Sequence, residues 1–273
     1  MKYFNSLSIL LAGVILLMSC QDPSFPTPEI STTVRYAKVL FINASPDAQG
    51  LVYQVNNAQV ATLNPQNTSG YLNVNASTEQ LRIKNAVFGV VSGDTLAQKA
   101  DLEVKDSKTL LPTTTSLVGG GAYTVIITDS LNRPHAKKSS FNTDQGGLQI
   151  LNLGPIRDDL AATPGFFGVP ASSAGVRFYN LAPGAATVYL SNGGTAMSTL
   201  STGKAYRAMT NTFTNIAPGN YTLQVSTTSV SGTVLTTLNV ALSPGKVYTV
   251  FLTGKVVNSV VKVPYALNLV QHN

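Results

Sequence analysis

The chain has 273 residues, of which one is cysteine and none is tryptophan. A single cysteine cannot form an internal disulfide, so the small disulfide-stapled secreted folds are excluded. The lack of tryptophan and of a disulfide also removes the marks of antibody-type immunoglobulin domains. An apolar core must therefore hold the chain together, and 44% hydrophobic with 11% charged residues is a composition that can supply one.

Acidic residues are absent from position 161 to the end of the chain, where six lysines and arginines lie. A pair of catalytic carboxylates, a carboxylate-held metal and a Ser-His-Asp triad are therefore excluded within that part. The two histidines, His135 and His272, are too far apart in sequence to suggest a ligand cluster. We predict a protein that is not an enzyme, with no catalytic residue, no metal and no cofactor.

The amino-terminal apolar run is too short to cross a bilayer. It extends from Ser6 to Met18, after Lys2, whereas a spanning helix needs roughly 20 apolar residues. A positive charge, a short apolar run and a small-residue end are the layout of a cleavable export signal. We predict a signal peptide over residues 1–19.

The single cysteine comes directly after this run, and the residues Leu17-Met18-Ser19-Cys20 resemble the lipobox of bacterial lipoproteins. The resemblance implies cleavage before Cys20 and a lipid on its sulfur; the alternative is a buried or reactive free thiol. Acyl chains on one residue anchor a protein without spanning the membrane. Gln21 stands where aspartate would signal inner-membrane retention, which favours the Gram-negative outer membrane, with the face open.

Residues 20–33 include "QDPSFPTPEISTT", in which closely spaced prolines oppose helix formation and little can be buried. We predict a lipidated extended tether. The remaining chain is rich in Thr, Val, Asn, Gly and Tyr, in short runs broken by turn signals such as Asn192-Gly193. These features favour strands over helices. We predict an all-β fold of two tandem antiparallel immunoglobulin-like β-sandwich domains.

The chain also repeats itself. "KVLFINASPDAQGLVYQVNN" at Lys38 to Asn57 is echoed by "GVRFYNLAPGAATVYLSNGG" at Gly175 to Gly194, and "GAYTVIITD" by "GKVYTVFLTG" further on. The order of landmarks is the same in both copies, and the first copy carries about a dozen extra residues. We predict one β-sandwich domain over residues 34–160, a linker over 161–172 and a second β-sandwich domain over 173–273.

The residues "AKVLFINASPDA" and "YTVFLTG", together with the duplication, resemble lipoproteins that carry domain-of-unknown-function family 4397. The resemblance spans most of the chain after the signal peptide. It implies a repeated, exported all-β module whose activity is unassigned. The second copy departs from "NASPD", because Gly184 stands where Asp47 stood.

Asn43, Ser45 and Asp47 alternate like the start of a calcium loop, but no glycine and distal glutamate follow at loop spacing. The second copy keeps the turn formers and loses the oxygens. A structural turn is the better interpretation.

Two weaker signals concern the surface. Lysines and arginines near tyrosines in the second copy could hold an acidic glycan, with candidate residues Arg177, Lys204, Tyr206 and Arg207. The alternative is that the tyrosines belong to the core and the cations are scattered. Asp94-Thr95-Leu96 and Asp129-Ser130-Leu131 resemble sequons for O-glycosylation, which would place Thr95 and Ser130 in exposed loops.

These features together predict a non-enzymatic outer-membrane-anchored lipoprotein that acts as a structural, adhesive or binding β-sandwich module. One alternative is a carbohydrate-binding surface lipoprotein that captures glycans. A third is a hydrolase with a site between the two domains, which would need groups that are far apart in sequence to meet. The expected partners are the membrane, through lipid on Cys20, and glycans or envelope proteins. No nucleic acid is expected.

Overall fold

The computed structural model describes residues 35–56, 58–79, 81–85, 115–130, 148–151, 155–158, 169–208, 212–254 and 263–272. Residues 35–273 form one compact unit. We call residues 35–158 the first half and residues 169–272 the second half. Over the described ranges the regular structure is β-strand, with one short 3-10 helix at Ser198–Ser201, which confirms the all-β prediction. No described helix has the length and apolarity needed to span a membrane.

In the first half the strands are β1 Tyr36–Asn43, β2 Leu51–Val55, β3 Ala58–Leu63, β4 Asn67–Asn75, β5 Thr78–Glu79, β6 Leu81–Asn85, β7 Thr115–Ser116, β8 Ala122–Thr128, β9 Gln149–Ile150 and β10 Ile156–Arg157. In the second half they are β11 Ala174–Asn180, β12 Val188–Asn192, β13 Thr195–Ala196, β14 Thr214–Ile216, β15 Gly219–Thr227, β16 Val234–Leu242, β17 Val247–Thr253 and β18 Ala266–Gln271.

Each half contains two main sheets. In the first half one sheet has the order β10-β8-β1-β4, with β9 also on β8, and the other has the order β3-β2-β6. In the second half the orders are β14-β11-β17-β18 and β13-β12-β15-β16. A separate apolar cluster fills each half. These are sandwich-like halves, as the strand-and-turn pattern predicted.

The central strands are buried on both faces. Along β1, Val39 and Phe41 belong to the core of the first half, whereas Leu40 and Ile42 belong to a third cluster that also contains second-half residues. The seven residues of β8, β11 and β17 are all buried. Strands buried on both sides read as continuous apolar runs, which explains their sequences. The sheet β10-β8-β1-β4 therefore packs against the sheet β14-β11-β17-β18.

The central strand pairs are parallel, not antiparallel as predicted. β1 pairs with β8 in parallel register from Lys38 to Asn43, and β11 pairs with β17 in the same way. The remaining pairs are antiparallel. Parallel partners must be joined by a long crossover, and here the strands of the second sheet lie in that crossover. Short-range turn signals carry no information about such a pairing.

Two buried asparagines make equivalent hydrogen bonds in the two halves. The Asn43 side-chain amide donates to the backbone oxygens of Ala48 and Leu63, and the Asn180 amide donates to those of Ala186 and Lys204. Each side-chain oxygen accepts a backbone N–H two residues on. The tyrosine hydroxyls of β8 and β17 likewise each accept a backbone N–H five residues earlier. The repeat seen in the sequence is therefore also a repeat of local contacts.

The Asn192-Gly193 signal marks a hairpin turn, as predicted. Asn192 pairs with Thr195, and the two glycines between them have φ of 53° and 83°. Two consecutive residues at positive φ form the turn type that matches strand twist, and glycine adopts that conformation without strain.

Candidate functional site

Polar side chains from both halves meet between the two facing sheets. Three come from the first half and three from the second, and five of the six are buried, Tyr71 being half-buried. We call them the interhalf polar cluster: Tyr71, Thr124, Asp158, Arg177, Thr249 and His272.

The facing sheets position these side chains. Tyr71 lies on β4 and Thr124 on β8, while Asp158 directly follows β10. Arg177 and Thr249 lie opposite each other on the parallel pair β11 and β17. His272 directly follows β18, and its backbone N–H donates to the oxygen of Val247 at 2.8 Å. Strand pairing, not loop geometry, therefore sets the positions in the cluster.

A buried ion pair lies at its centre. Arg177 Nη2 is 2.7 Å from Asp158 Oδ1, and both side chains are 0% exposed. The other carboxylate oxygen, Oδ2, accepts hydrogen bonds from Thr124 at 2.6 Å and Tyr71 at 3.0 Å. The guanidinium carbon lies 4.5 Å from the centroid of the Phe213 ring, which gives the cation a favourable aromatic face. Buried charges require this kind of pairing.

The hydrogen bonds form a chain from the arginine to the aspartate. Arg177 Nε–H donates to Thr249 Oγ1 at 2.7 Å, and Thr249 Oγ1 is 2.6 Å from His272 Nε2. On the other side of the ring, His272 Nδ1 is 2.7 Å from the Tyr71 hydroxyl, which donates to Asp158. Each hydroxyl proton has one acceptor if Thr249 donates to Nε2 and the Nδ1–H donates to Tyr71. This assignment makes His272 the neutral Nδ1–H tautomer.

Burial controls the ionisation of the cluster. It lowers the pKa of His272 well below its usual range, and the Arg177 guanidinium lowers it further. It raises the pKa of Asp158, while Arg177 and Thr124 offset part of that rise. Burial also raises the pKa of Tyr71, and it raises that of Tyr179 to about 12. At neutral pH the imidazole is therefore uncharged and both phenols keep their protons.

The neutral imidazole makes stability depend on pH in a definite direction. Below pH about 6.5 His272 is protonated in the unfolded chain but not in the folded chain, so the unfolded state binds more protons. The free energy of unfolding therefore decreases as the pH is lowered. We expect this loss to approach about 1.4 kcal/mol per pH unit below that pH. Denaturant unfolding of the parent and of His272→Gln between pH 7.5 and 5.5 measures it.

The comparison with the variant isolates His272, because the two chains differ at no other residue. The charged and titratable groups facing the ring are Arg177, Tyr71 and Asp158, whose Oδ2 is 4.0 Å from Nδ1. Asp158 has the opposite effect on stability. Its pKa is raised in the folded state, so above pH about 3.9 the folded chain binds more protons at this carboxyl than the unfolded chain, and lowering the pH stabilises the fold. Equal pH slopes in the two chains would contradict the assignment.

Asp158, His272 and Thr249 include the residue types of a hydrolytic triad, brought together from the two halves. The hydroxyl, however, already accepts the Arg177 Nε–H, and the Tyr71 hydroxyl lies between the imidazole and the carboxylate. Thr249 and Asp158 are 0% exposed. A substrate would have to separate the two sheets to reach these atoms, so the arrangement suits a structural contact.

The prediction of glycan binding is wrong for one of its four residues. Arg177 is fully buried in the interhalf polar cluster and cannot contact a glycan at the surface. Lys204 lines a cleft of about 240 Å³ with several threonines. Tyr206 and Arg207 are half-buried, and burial followed by the Asp129 carboxylate raises the pKa of Tyr206. Glycan binding through the other three residues stays a prediction.

Ser130 is not in an exposed loop, contrary to the expectation for O-glycosylation. It is 0% exposed, its backbone N–H donates to Asp129, and its hydroxyl donates to the carboxylate of Asp47. The same carboxylate accepts from Ser45 at 3.0 Å, and the structural-turn interpretation of "NASPD" stays a prediction. Cys20, Thr95 and His135 lie outside the described residues.

Sequence reasoning missed the role of Asp158 and His272. Asp158 follows a strand of only two residues, and His272 stands near the end of the chain, so neither has a periodic pattern around it. The available signal was Arg177, a cation inside the otherwise uncharged strand "AGVRFYN", whose seven positions are all buried. A charge in such a strand requires a partner of opposite sign.

Within the described ranges, no three His, Cys, Asp or Glu side chains come together as a metal site would require. The family model described as domain of unknown function (DUF4397) matches residues 174–267, which lie in the second half. A comparison with curated proteins finds no match.

Proposed function

We propose that the chain is a non-catalytic, lipid-anchored outer-membrane protein whose two β-sandwich halves form one structural, adhesive or binding body. The observation that carries the non-catalytic part is burial. Asp158, His272 and Thr249, which resemble a hydrolytic set, are buried between two sheets. Thr249 and His272 are hydrogen-bonded to each other, Thr249 also accepts from Arg177, and Asp158 accepts from Thr124.

We propose further that both halves are copies of the module that the family model matches in the second half. The support is the shared geometry: a parallel central pair, a buried asparagine at the end of the first central strand, and a tyrosine hydroxyl that accepts a backbone N–H five residues earlier. Contacts that recur at matching places in two halves of one chain are typical of a duplicated unit.

The anchor rests on the sequence Leu17-Met18-Ser19-Cys20, with a proline-rich tether before the first strand at Tyr36. Several acyl chains, each contributing about 0.8 kcal/mol per buried methylene, keep such a protein on the membrane. A tether of extended residues lets a rigid body stand off the membrane and reach a partner.

Replacing the lipidated residue tests the anchor. We expect the parent chain in the membrane fraction, released by detergent, and Cys20→Ser in the soluble fraction, because the variant lacks the sulfur that receives the lipid. Fractionation in a Gram-negative host, with intact mass of the purified chain, measures both. Ser24→Ala, within the predicted tether, is the matched control and should stay with the membrane. A parent chain whose intact mass equals that of the polypeptide without lipid would contradict the proposal.

Protease treatment of intact cells then distinguishes the two faces of the membrane. Loss of the protein would place both halves outside the cell and direct the search to adhesion or glycan capture. Protection until lysis would place them in the periplasm and direct it to envelope partners.

A further inference from the structure

The two halves contribute matching positions to the contact between them. Superimposing the central strands by register aligns β1 with β11, because Asn43 and Asn180 make the same contacts. Leu40 then corresponds to Arg177, since the first faces Thr124 and the second faces Thr249 in the parallel pairs. The two threonines correspond as well, as the third residues of β8 and β17.

Asp158 and His272 are also equivalent. The backbone N–H of Asp158 donates to the oxygen of Ala122, the first residue of β8, at 2.8 Å. The backbone N–H of His272 donates to the oxygen of Val247, the first residue of β17, at the same distance. Both residues also contact the threonine two positions further along their partner strand.

One further pair of equivalent positions, Tyr71 and Phe213, lies on or next to the outer strands β4 and β14. Tyr71 on β4 lies opposite Leu40. Phe213 precedes Thr214, which lies opposite Val176, so continuing that register places Phe213 opposite Arg177. The guanidinium lies over the Phe213 ring, which agrees with this register. Tyr71 and Phe213 therefore occupy equivalent positions.

The apolar contact between the halves follows the same rule. The third buried cluster combines residues of both halves. Applying the strand alignment to it yields equivalent partners, one from each half: Ile42 with Tyr179, Ala44 with Leu181, Ile126 with Phe251, and Ile156 with Val270.

We propose that this buried face is the module's own pairing surface, that the partner it fits is a second copy of the module, and that the two copies in this chain are related by a pseudo-twofold axis. A surface that meets its own equivalent positions is isologous, as in symmetric dimers. The inference rests on the tandem arrangement proposed above and adds how the copies recognise each other.

The equivalent positions at which the two halves carry different polar residues make this pairing selective for unlike halves. Two first halves would bury two copies of Asp158 with no guanidinium, and two second halves would bury two copies of Arg177 with no carboxylate. A buried charge without its partner is strongly unfavourable, so each half accepts the other half and rejects its own copy.

Exchanging the polar residues across the axis in the full chain tests the proposal. The mirrored variant carries Leu40→Arg, Arg177→Leu, Tyr71→Phe, Phe213→Tyr, Asp158→His and His272→Asp, while the two threonines stay. If the positions are equivalent, the same cluster forms with the roles of the halves reversed. The matched control exchanges only Leu40→Arg and Arg177→Leu, which leaves Asp158 without its guanidinium.

We expect the control to lower the thermal midpoint by roughly 10 °C, and the mirrored variant to regain at least half of that loss. A mirrored variant that melts no higher than the control would overturn the proposal. A gentler pair covers the case in which neither chain folds: Ile126→Phe combined with Phe251→Ile should melt higher than the two single substitutions predict by addition. Strict additivity there would also count against the axis.

Membrane fractionation of the mirrored variant separates the two proposals. A chain that stays anchored through Cys20 but fails to regain stability would remove the pseudo-twofold pairing and leave the anchoring intact.

Discussion

Replacing Arg177 by methionine is expected to lower the free energy of unfolding by about 3–5 kcal/mol. Methionine has a similar length but removes the guanidinium, so the Asp158 carboxylate is left buried with only two hydroxyl donors. The Thr249 hydroxyl also loses the Nε–H that it accepts, and the Phe213 ring loses the cation above it. Urea unfolding at pH 7 measures the loss.

Arg157 is the matched control for this substitution. It is one residue from Asp158 in the chain, it is half-exposed, and its guanidinium carbon lies 5.9 Å from the centroid of the Tyr123 ring. Arg157→Met should cost about 1 kcal/mol or less, because the group keeps contact with water. An Arg177→Met chain no less stable than Arg157→Met would contradict the buried ion pair.

A double substitution separates the charge effect from lost packing. Adding Asp158→Leu to Arg177→Met removes both charges, and replacing a buried ion pair by apolar residues is often close to neutral. We expect the double variant to be more stable than Arg177→Met alone, with a coupling of roughly 1–3 kcal/mol. A double variant as unstable as the sum of its parts would indicate that shape, not charge, is what Arg177 contributes.

Truncating Phe251 to alanine should cost about 3–5 kcal/mol. This ring is 0% exposed and lies in the cluster shared by the two halves, so its removal leaves a cavity at their contact. Because the residue contributes to neither half's own core cluster, the loss should fall on the contact between the halves. Thermal unfolding followed by circular dichroism measures the midpoint and shows whether one transition splits into two.

Two further variants serve as controls for the loss of stability in Phe251→Ala. Phe251→Leu retains most of the volume and should cost roughly 1 kcal/mol. Val234→Ala removes methyl groups from a side chain that is 46% exposed and should lie within about 0.5 kcal/mol of the parent. A Phe251→Ala chain as stable as Val234→Ala would show that the shared cluster does not hold the halves together.

The parts of the fold that were predictable depend on neighbours along the chain. Short runs of β-branched and aromatic residues, broken by glycine and proline, were enough to predict strands, and Asn192-Gly193 was enough to predict a hairpin turn. The internal repeat of "KVLFIN" and "YTV" is legible in the sequence itself, and it coincides with the matching contacts of Asn43 and Asn180. Each of these signals spans fewer than about ten residues.

The parallel pairing was not predictable in this way. β1 and β8 meet across some 80 positions of sequence. Both faces are buried over all of β8 and over β1 from Val39 onward, so these stretches show no apolar–polar alternation. The same burial misled the prediction for Arg177. A cation in a strand favours a surface position, whereas the second face of β11 is covered by the other half.

The amino-acid sequence alone was sufficient for the all-β class and for the lack of acidic residues after position 160, while the export signal with Cys20 stays a prediction. The interhalf polar cluster depended on folding, since Tyr71 and His272 are 201 positions apart and Asp158 meets Arg177 only when two sheets face each other. Composition and periodicity report which residues prefer burial in strands. Which buried charge meets which partner is decided by the packing of distant strands, and that packing gives Asp158, Arg177 and His272 their roles.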